Sequence, residues 1–161
     1  MSDILYYKFY DSPVGKLQII SSDRELVAIY PRRFFRNDED NFRENSEHPI
    51  LLKTEKQLDE YFLGQRKEFD LPLDMRGTVF QIKSWRQLQK IPYGGTVSYG
   101  QQAKGMGDAK KARAVGMANG RNPLLIVVPC HRVIGKDGSL TGFGGGLDMK
   151  KKLLELEQAH I

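Results

Sequence analysis

The sequence predicts an α+β protein with two lobes, a small antiparallel sheet followed by a helical lobe that contains a helix-turn-helix. Three observations favour this fold class. Residues 6–31 alternate apolar and polar side chains, residues 78–119 carry apolar and capping residues at helical spacing, and the charge changes sign between the two halves. We place the two domains at residues 1–75 and 76–161.

The first lobe is predicted from alternation and turn signals. Residues 6–31 (YYKFYDSPVGKLQIISSDRELVAIYP) predict short antiparallel strands, with turns at residues 12–15 and 22–23. Residues 32–49 have no apolar period and many charges, so we expect a loop there. A helix over residues 49–64 follows, with its apolar residues on one face and a glycine at its end.

Positive charge is concentrated in the second lobe. Residues 76–161 hold 14 Lys and Arg against 5 Asp and Glu, a net charge of +9, whereas residues 1–75 have a net charge of −4. Such a concentration is typical of a nucleic-acid-binding face, although a merely soluble basic surface has the same composition.

Composition excludes several classes of protein. No apolar run approaches the roughly 20 residues that span a bilayer, and the first 15 residues lack a signal-peptide pattern, so we expect a soluble cytoplasmic protein, or a nuclear one in a eukaryote. The chain has one cysteine, which excludes an internal disulfide and any site that needs several cysteines for zinc or iron–sulfur binding. A free thiol also favours a reducing compartment.

Two short helices are predicted in the basic lobe. Ser98 precedes YGQQAK and Asp108 precedes AKKARAVGMAN, so each residue would cap a helix, and the glycine turn at residues 105–107 would join them. This arrangement is a helix-turn-helix, and the charge favours it over an ordinary helical hairpin. The basic residues of the second helix are Lys110, Lys111 and Arg113.

The lone cysteine follows an apolar run, residues 124–128, which predicts a buried strand. By residue type alone, Cys130 would be a small buried hydrophobe more often than a nucleophile. Its neighbour His131 would point to the opposite face of an extended strand, so the two would communicate only if the chain turned there or a water bridged them. The last helix offers Glu155 and Glu157 as carboxylates to orient the imidazole.

The motif around the cysteine resembles a known family. PCHRVI, with Asn122-Pro123 upstream and a glycine loop downstream, resembles the O6-alkylguanine-DNA alkyltransferases, as does GTVFQIKSWRQLQKIPYGGTVSYGQQA. The resemblance covers about residues 77–157, and the first lobe fits the family in length and position. It implies a ribonuclease H-like first lobe and a winged-helix-like second lobe.

The resemblance implies direct-reversal DNA repair. Cys130 matches the residue that accepts the alkyl group from O6-alkylguanine, and also from O4-alkylthymine, irreversibly and once per molecule. His131 matches the histidine that draws the thiol proton through a water, and Glu157 falls in register with the carboxylate that orients it. Tyr99 matches the tyrosine that donates a proton to the leaving guanine and turns the target phosphate. No metal and no organic cofactor are implied.

The resemblance also implies how DNA is held. Arg113 matches the arginine that fills the place of a flipped nucleotide, while Lys110 and Lys111 would meet phosphates. Asn122 matches a hinge between the recognition helix and the active-site segment. The guanine pocket would be lined by Phe143, Gly144, Gly145 and Val133. The expected partner is double-stranded DNA that contains O6-alkylguanine, bound in the minor groove by a monomer, and a glycine at position 144 predicts room for alkyl groups larger than methyl.

Two other functions remain open at this point. A DNA-damage sensor or helix-turn-helix binder would bind duplex DNA without covalent change. A Cys-His hydrolase would turn over an ester or amide and would not need the basic helices.

Overall fold

The computed structural model describes residues 4–37 and 40–161. Two stretches lie outside the described part. Residues 1–3 belong to the first 15 residues, which lack a signal-peptide pattern, and residues 38–39 belong to the predicted loop. The chain divides into two compact units, Met1–Met75 and Arg76–Ile161. None of the helices in the described ranges is long and apolar enough to cross a membrane.

The first unit is a four-stranded sheet with one helix. Its strands are β1 (Leu5–Ser12), β2 (Gly15–Ser21), β3 (Leu26–Pro31) and β4 (Phe42–Glu44), in the order β3-β2-β1-β4. The turns between the first three strands fall at the two predicted positions, and these strands pair antiparallel. Helix α1 (Pro49–Phe62) packs on the sheet through Leu51, Leu58 and Tyr61, all of which are fully buried.

The prediction of a loop over residues 32–49 was wrong in one respect. Phe42–Glu44 forms the edge strand β4, which runs parallel to β1. Only Phe42 of its three residues is buried, where it stacks on Tyr7 with ring centroids 4.4 Å apart. A strand with a single buried residue shows no alternation of apolar and polar side chains. Its parallel pairing with β1 also depends on a strand far away in the sequence, which no local pattern reveals. The sheet is therefore mixed rather than purely antiparallel.

The second unit is helical. It contains α2 (Val79–Leu88), β5 (Val97–Ser98), α3 (Tyr99–Gly105), α4 (Ala112–Gly120), β6 (Val133–Ile134) and α5 (Leu147–Ala159). The Trp85 indole of α2 donates to the Ala118 carbonyl across 2.8 Å. Gln102 and Asn119 exchange two buried side-chain hydrogen bonds between α3 and α4, at 3.0 and 2.7 Å. The predicted α+β fold class, with a sheet lobe and a helical lobe, is confirmed.

The helix-turn-helix has the predicted start and turn. Ser98 caps α3 in a capping box with Gln101, and Gly107 adopts a φ of +106° in the turn that follows. The second helix differs from its prediction at the start. Asp108 accepts a hydrogen bond from the Lys110 amide, but residues 109–111 form a 3₁₀ turn and α4 begins only at Ala112.

The prediction of a strand over residues 124–128 was wrong. The segment is fully buried, but it is a compact series of turns in which the Val128 amide donates to the Leu124 carbonyl across 2.9 Å. Ile126 has a φ of +73°, which is unusual for a β-branched residue. Asn122 stabilises the turns, because its side chain donates to the Val128 carbonyl and accepts from the Leu124 amide.

Candidate active site

Cys130 begins a short 3₁₀ helix, Cys130–Arg132, directly after these buried turns. The chain therefore turns at the cysteine, which is one of the two conditions under which its side chain could communicate with His131. In a 3₁₀ helix, consecutive side chains lie about 120° apart around the axis rather than on opposite faces of a strand. Cys130 is 4% exposed, so bulk solvent has little access to its thiol.

The thiol is protonated in its resting environment. Burial raises the pKa of Cys130 to about 11, although hydrogen bonding by the Asn122 side chain and the positive charge of Lys150 act in the opposite direction. Because the thiolate is the nucleophilic form, a reaction at neutral pH requires a base that removes the proton.

His131 has the properties of that base. Its Nε2 lies 2.6 Å from Glu157 Oε2, and both side chains are buried. An ionised carboxylate only accepts hydrogen bonds, so Nε2 carries the proton and the lone pair of the neutral imidazole lies on Nδ1. Nδ1 is buried and has no hydrogen-bond partner among the described residues. Burial has the largest effect on the pKa of His131 and lowers it, and the positive charges of Arg132 and Lys150 lower it further; together they outweigh the increase caused by Glu157, which keeps the imidazole neutral.

Helix α5 supplies Glu157 from its last turn. The carboxylate receives hydrogen bonds from His131, from two nitrogens of the Arg132 guanidinium and from the Gly94 amide. Burial alone would raise the pKa of Glu157, but the hydrogen bonds and charges of His131 and Arg132 outweigh it and lower the pKa to about 2. The other candidate carboxylate, Glu155, is exposed and lies 3.9 Å from Lys151.

Lys150 is a buried cation beside this cluster. It has no exposed surface, and its Nζ donates to the Thr141 carbonyl across 2.7 Å. Its ammonium also lies 5.9 Å from the centre of the Tyr99 ring. Burial lowers the pKa of Lys150, while the charge that Cys130 can carry raises it.

Tyr99 and the glycine loop lie on the same side of the second unit as Lys150. The Tyr99 hydroxyl is 3.1 Å from both the carbonyl and the hydroxyl oxygen of Thr141. Phe143 is buried in the loop that follows, Gly144 and Gly145 are half-buried, and Val133 is fully buried in β6. A Cβ on Gly145 would lie 2.7 Å from the Phe143 ring, so only glycine leaves this ring undisturbed.

Among the predicted DNA-contacting residues, the basic side chains lie on the surface of the helix-turn-helix, while Tyr99 is half-buried. Lys110, Lys111 and Arg113 are exposed, whereas Asn122 is buried against the turns that precede Cys130. A groove of about 660 Å³ opens beside them on the second unit. It is lined by Ser98, Tyr99, Gly100, Gln101, Lys104, Ala109, Ala112 and Lys136.

Both units match one protein family. The profile described as "6-O-methylguanine DNA methyltransferase, ribonuclease-like domain" matches residues 5–75, and that described as "6-O-methylguanine DNA methyltransferase, DNA binding domain" matches residues 79–159. The chain belongs to the 6-O-methylguanine DNA methyltransferase family.

Relatives of this methyltransferase family match almost the whole chain. A methylated-DNA–protein-cysteine methyltransferase of Mycolicibacterium paratuberculosis is 48% identical over 158 residues, which are 98% of this chain and 94% of that protein. The constitutive enzyme of that name from Bacillus subtilis is 44% identical and covers 95% of each chain. The crystal structure of Mycobacterium tuberculosis OGT in complex with DNA is 42% identical, covers 96% of this chain and 94% of that one, and has a TM-score of 0.88.

Four side chains that the structure places in the cluster around His131 and Glu157, beside Tyr99, or in the groove were not predicted from the sequence. Lys150 is one of three consecutive lysines. The only sequence feature that indicates its burial is its spacing of three and seven residues from Leu153 and Glu157, which are buried on the same face of α5. Arg132 stood within PCHRVI but was given no role. Lys104 and Lys136, which line the groove, are single basic residues far apart in the sequence, so only the fold brings them together.

Proposed function

We propose that this protein repairs DNA by moving the alkyl group of O6-alkylguanine onto the sulfur of Cys130. The observation that carries the proposal is the pairing at the buried thiol. The cysteine is followed by a neutral histidine whose Nε2 is fixed by Glu157 and whose Nδ1 is unpartnered among the described residues. This arrangement supplies a base for a thiol that would otherwise stay protonated.

The reaction balances without a cofactor. His131 takes the proton of Cys130, directly or through a bridging water, and the thiolate attacks the alkyl carbon. A sulfur–carbon bond forms as the bond between that carbon and guanine O6 breaks, and the guanine leaves with the electron pair. A proton donated by Tyr99 then restores neutral guanine, and the Tyr99 phenolate regains a proton from solvent as His131 releases the one it took from Cys130. The product thioether has no easy leaving reaction, so each molecule acts once, on O6-alkylguanine and on O4-alkylthymine.

The DNA side of the proposal is supported by charge and by exposed residues. The second unit has a net charge of +9, and the helix-turn-helix exposes Lys110, Lys111 and Arg113. A base inside a duplex is out of reach of a buried thiol, so the nucleotide must be flipped out at a cost of a few kcal/mol. Arg113, near the start of α4, would occupy the vacated place in the stack, while the two lysines hold phosphates. A monomer is sufficient for this chemistry.

Intact mass measurement tests the transfer. After incubation with a duplex that contains O6-methylguanine, the protein should carry one methyl group, which peptide mapping places on Cys130. Cys130→Ser and an unmodified duplex should give no adduct. A protein that shifts DNA in a gel but stays unmodified would contradict the proposal and favour a damage sensor. Turnover of an ester or amide would favour a hydrolase.

The DNA contacts have a separate test. Replacing Lys110 and Lys111 together by Gln should reduce the slope of log affinity against log salt by about 2, because each lysine releases about one counterion. The same change at the exposed Lys151 and Lys152 of α5 is the matched control and should leave the slope unchanged. If both double variants changed the salt dependence equally, Lys110 and Lys111 would not be specific phosphate contacts, which would contradict DNA binding at the helix-turn-helix.

A further inference from the structure

The carboxylate of Glu157 is shared between two neighbouring residues of the 3₁₀ helix. His131 Nε2 lies 2.6 Å from Oε2, while the Arg132 guanidinium donates from Nε to Oε1 across 2.8 Å and from Nη2 to Oε2 across 3.1 Å. The Gly94 amide adds a fourth hydrogen bond, to Oε1 at 3.2 Å. Both oxygens of one buried carboxylate are therefore held by an imidazole and a bidentate guanidinium.

Arg132 is itself fixed from a second direction. It is 6% exposed, its Nη1 donates to the Ile91 carbonyl across 2.8 Å, and its guanidinium carbon lies 5.6 Å from the centre of the Tyr93 ring. The guanidinium thus connects the segment after α2 with the last turn of α5. A planar bidentate donor at this position sets the rotation of the Glu157 carboxylate, which a point charge does not.

A carboxylate beside an imidazole creates a conflict for a base. Glu157 must be ionised to orient His131, yet an unopposed buried carboxylate favours the protonated imidazolium, which cannot accept a thiol proton. A cation on the same carboxylate removes the conflict, because it satisfies the negative charge and repels a second positive charge nearby. The distances place Arg132 in that position.

We propose that Arg132 is a positioning residue which holds Glu157 ionised and correctly rotated, so that His131 keeps one tautomer and remains neutral at physiological pH. The catalytic consequence rests on the proposed function, whereas the protonation state of His131 does not. The positive charge of Arg132 acts to lower the pKa of both His131 and Glu157.

The other titratable groups around the pair do not replace Arg132. Lys150 also disfavours a charged His131, but its ammonium donates to the Thr141 carbonyl, in a different direction from Glu157. Tyr93 stays a neutral phenol, because burial and the charge of Glu157 raise its pKa. Cys130 is a neutral thiol, because burial raises its pKa to about 11.

The experiment is an NMR titration of the His131 ring nitrogens in the full-length, DNA-free protein, with His131→Gln used to assign the signal. In the wild type, His131 should be neutral at pH 7 with its proton on Nε2. In Arg132→Met, and in the less disruptive Arg132→Gln, the titration midpoint should move up by about one pH unit or more. Arg132→Lys keeps the charge and should move it less. Arg121→Met, at an exposed arginine, is the matched control and should not move it.

A second readout separates positioning from a merely structural role. Arg132→Met should slow methyl transfer about tenfold near neutral pH and recover part of the loss at higher pH, because the imidazole is again neutral there. Equal loss at every pH, an unchanged midpoint in a folded Arg132→Gln, or a wild-type His131 that is protonated at pH 7 would each overturn the proposal. If the wild type formed no adduct but titrated as expected, the proposed function would fail and the inference about Arg132 would stand.

Discussion

Lys150 has no exposed surface, and its ammonium donates a 2.7 Å hydrogen bond to the carbonyl oxygen of Thr141. Burying a lysine ammonium costs free energy unless it is hydrogen-bonded or lies near a negative charge. Here the ammonium lowers the pKa of the Cys130 thiol, which burial has raised. The same hydrogen bond anchors the loop that also receives the Tyr99 hydroxyl. Lys150 therefore stabilises the thiolate and the loop together.

Lys150→Met should make the thiol less acidic, because a positive charge near the nascent thiolate is lost. We expect both methyl transfer and alkylation of Cys130 by iodoacetamide to slow about tenfold at pH 7.5, with the pH dependence of alkylation moved upward. The rate of iodoacetamide labelling against pH measures this. Lys151→Met, at the exposed neighbour on the same helix, is the control, and equal rates in the two variants would contradict the prediction.

Glu157 predicts how stability depends on pH. Burial raises its pKa, but His131 and Arg132 lower it from the ordinary value of 4.5 to about 2, so the folded state binds its proton less tightly than the unfolded state does. A depressed pKa contributes stability above the unfolded value and loses it as pH falls through the folded one. The contribution is about 3 kcal/mol at pH 7 and is lost between about pH 4.5 and pH 2.

Glu157→Gln should therefore reduce the free energy of unfolding by about 3 kcal/mol or more at pH 7, with a difference about half as large at pH 3. Urea unfolding at both pH values measures the difference. Glu155→Gln changes an exposed carboxylate two residues away on the same helix and should cost less than about 0.5 kcal/mol. A gap between wild type and Glu157→Gln that is equally large at pH 3 would assign the effect to packing instead.

Local signals in the sequence predicted much of the second unit. Ser98 was identified as a helix cap and the glycine turn as a break, because both features depend on a few adjacent residues. The choice of Glu157 rather than Glu155 came from the family resemblance, and Glu157 is the carboxylate that contacts His131.

Features that depend on distant contacts could not be predicted in the same way. The run at residues 124–128 is apolar whether it forms a strand or buried turns, and its turns are set by Asn122 and by the chain around them. The edge strand β4 has one buried residue and pairs with β1 more than 30 residues earlier. Lys150 is chemically identical to its two exposed neighbours, so only its position in the fold separates it from them.

Met117 predicts an apolar contact with DNA. It is 65% exposed although apolar, and it follows Arg113 by four residues, so the two side chains lie on one face of α4. Minor-groove proteins often place an apolar side chain against the bases or sugars. Met117→Glu should weaken binding of an O6-methylguanine duplex about tenfold, because a contact is lost and a negative charge meets the phosphates.

Fluorescence anisotropy at two salt concentrations measures the Met117 effect. Leu63→Glu changes a residue of the same exposed fraction, 65%, outside the helix-turn-helix, and serves as the matched control. Iodoacetamide labelling of Cys130 should be unchanged in both variants, which checks that the thiol site is intact. Equal losses of affinity at the two positions would indicate that added negative charge, rather than the face of α4, is responsible.

Gly144 predicts which alkyl groups the protein accepts. Gly145 cannot take a side chain without meeting Phe143 at 2.7 Å and Met149 at 2.5 Å, whereas Gly144 is half-buried and is not among the glycines with positive φ. The wild type should therefore react with O6-benzylguanine as well as with O6-methylguanine. Gly144→Val should slow the benzyl reaction about tenfold more than the methyl reaction, because the added methyl groups occupy pocket volume. Single-turnover rates with both substrates measure the ratio of the benzyl rate to the methyl rate.

Gly145→Ala displaces Phe143 and should slow both reactions alike. Rejection of benzylguanine by the wild type would show that Gly144 does not set the size of the pocket.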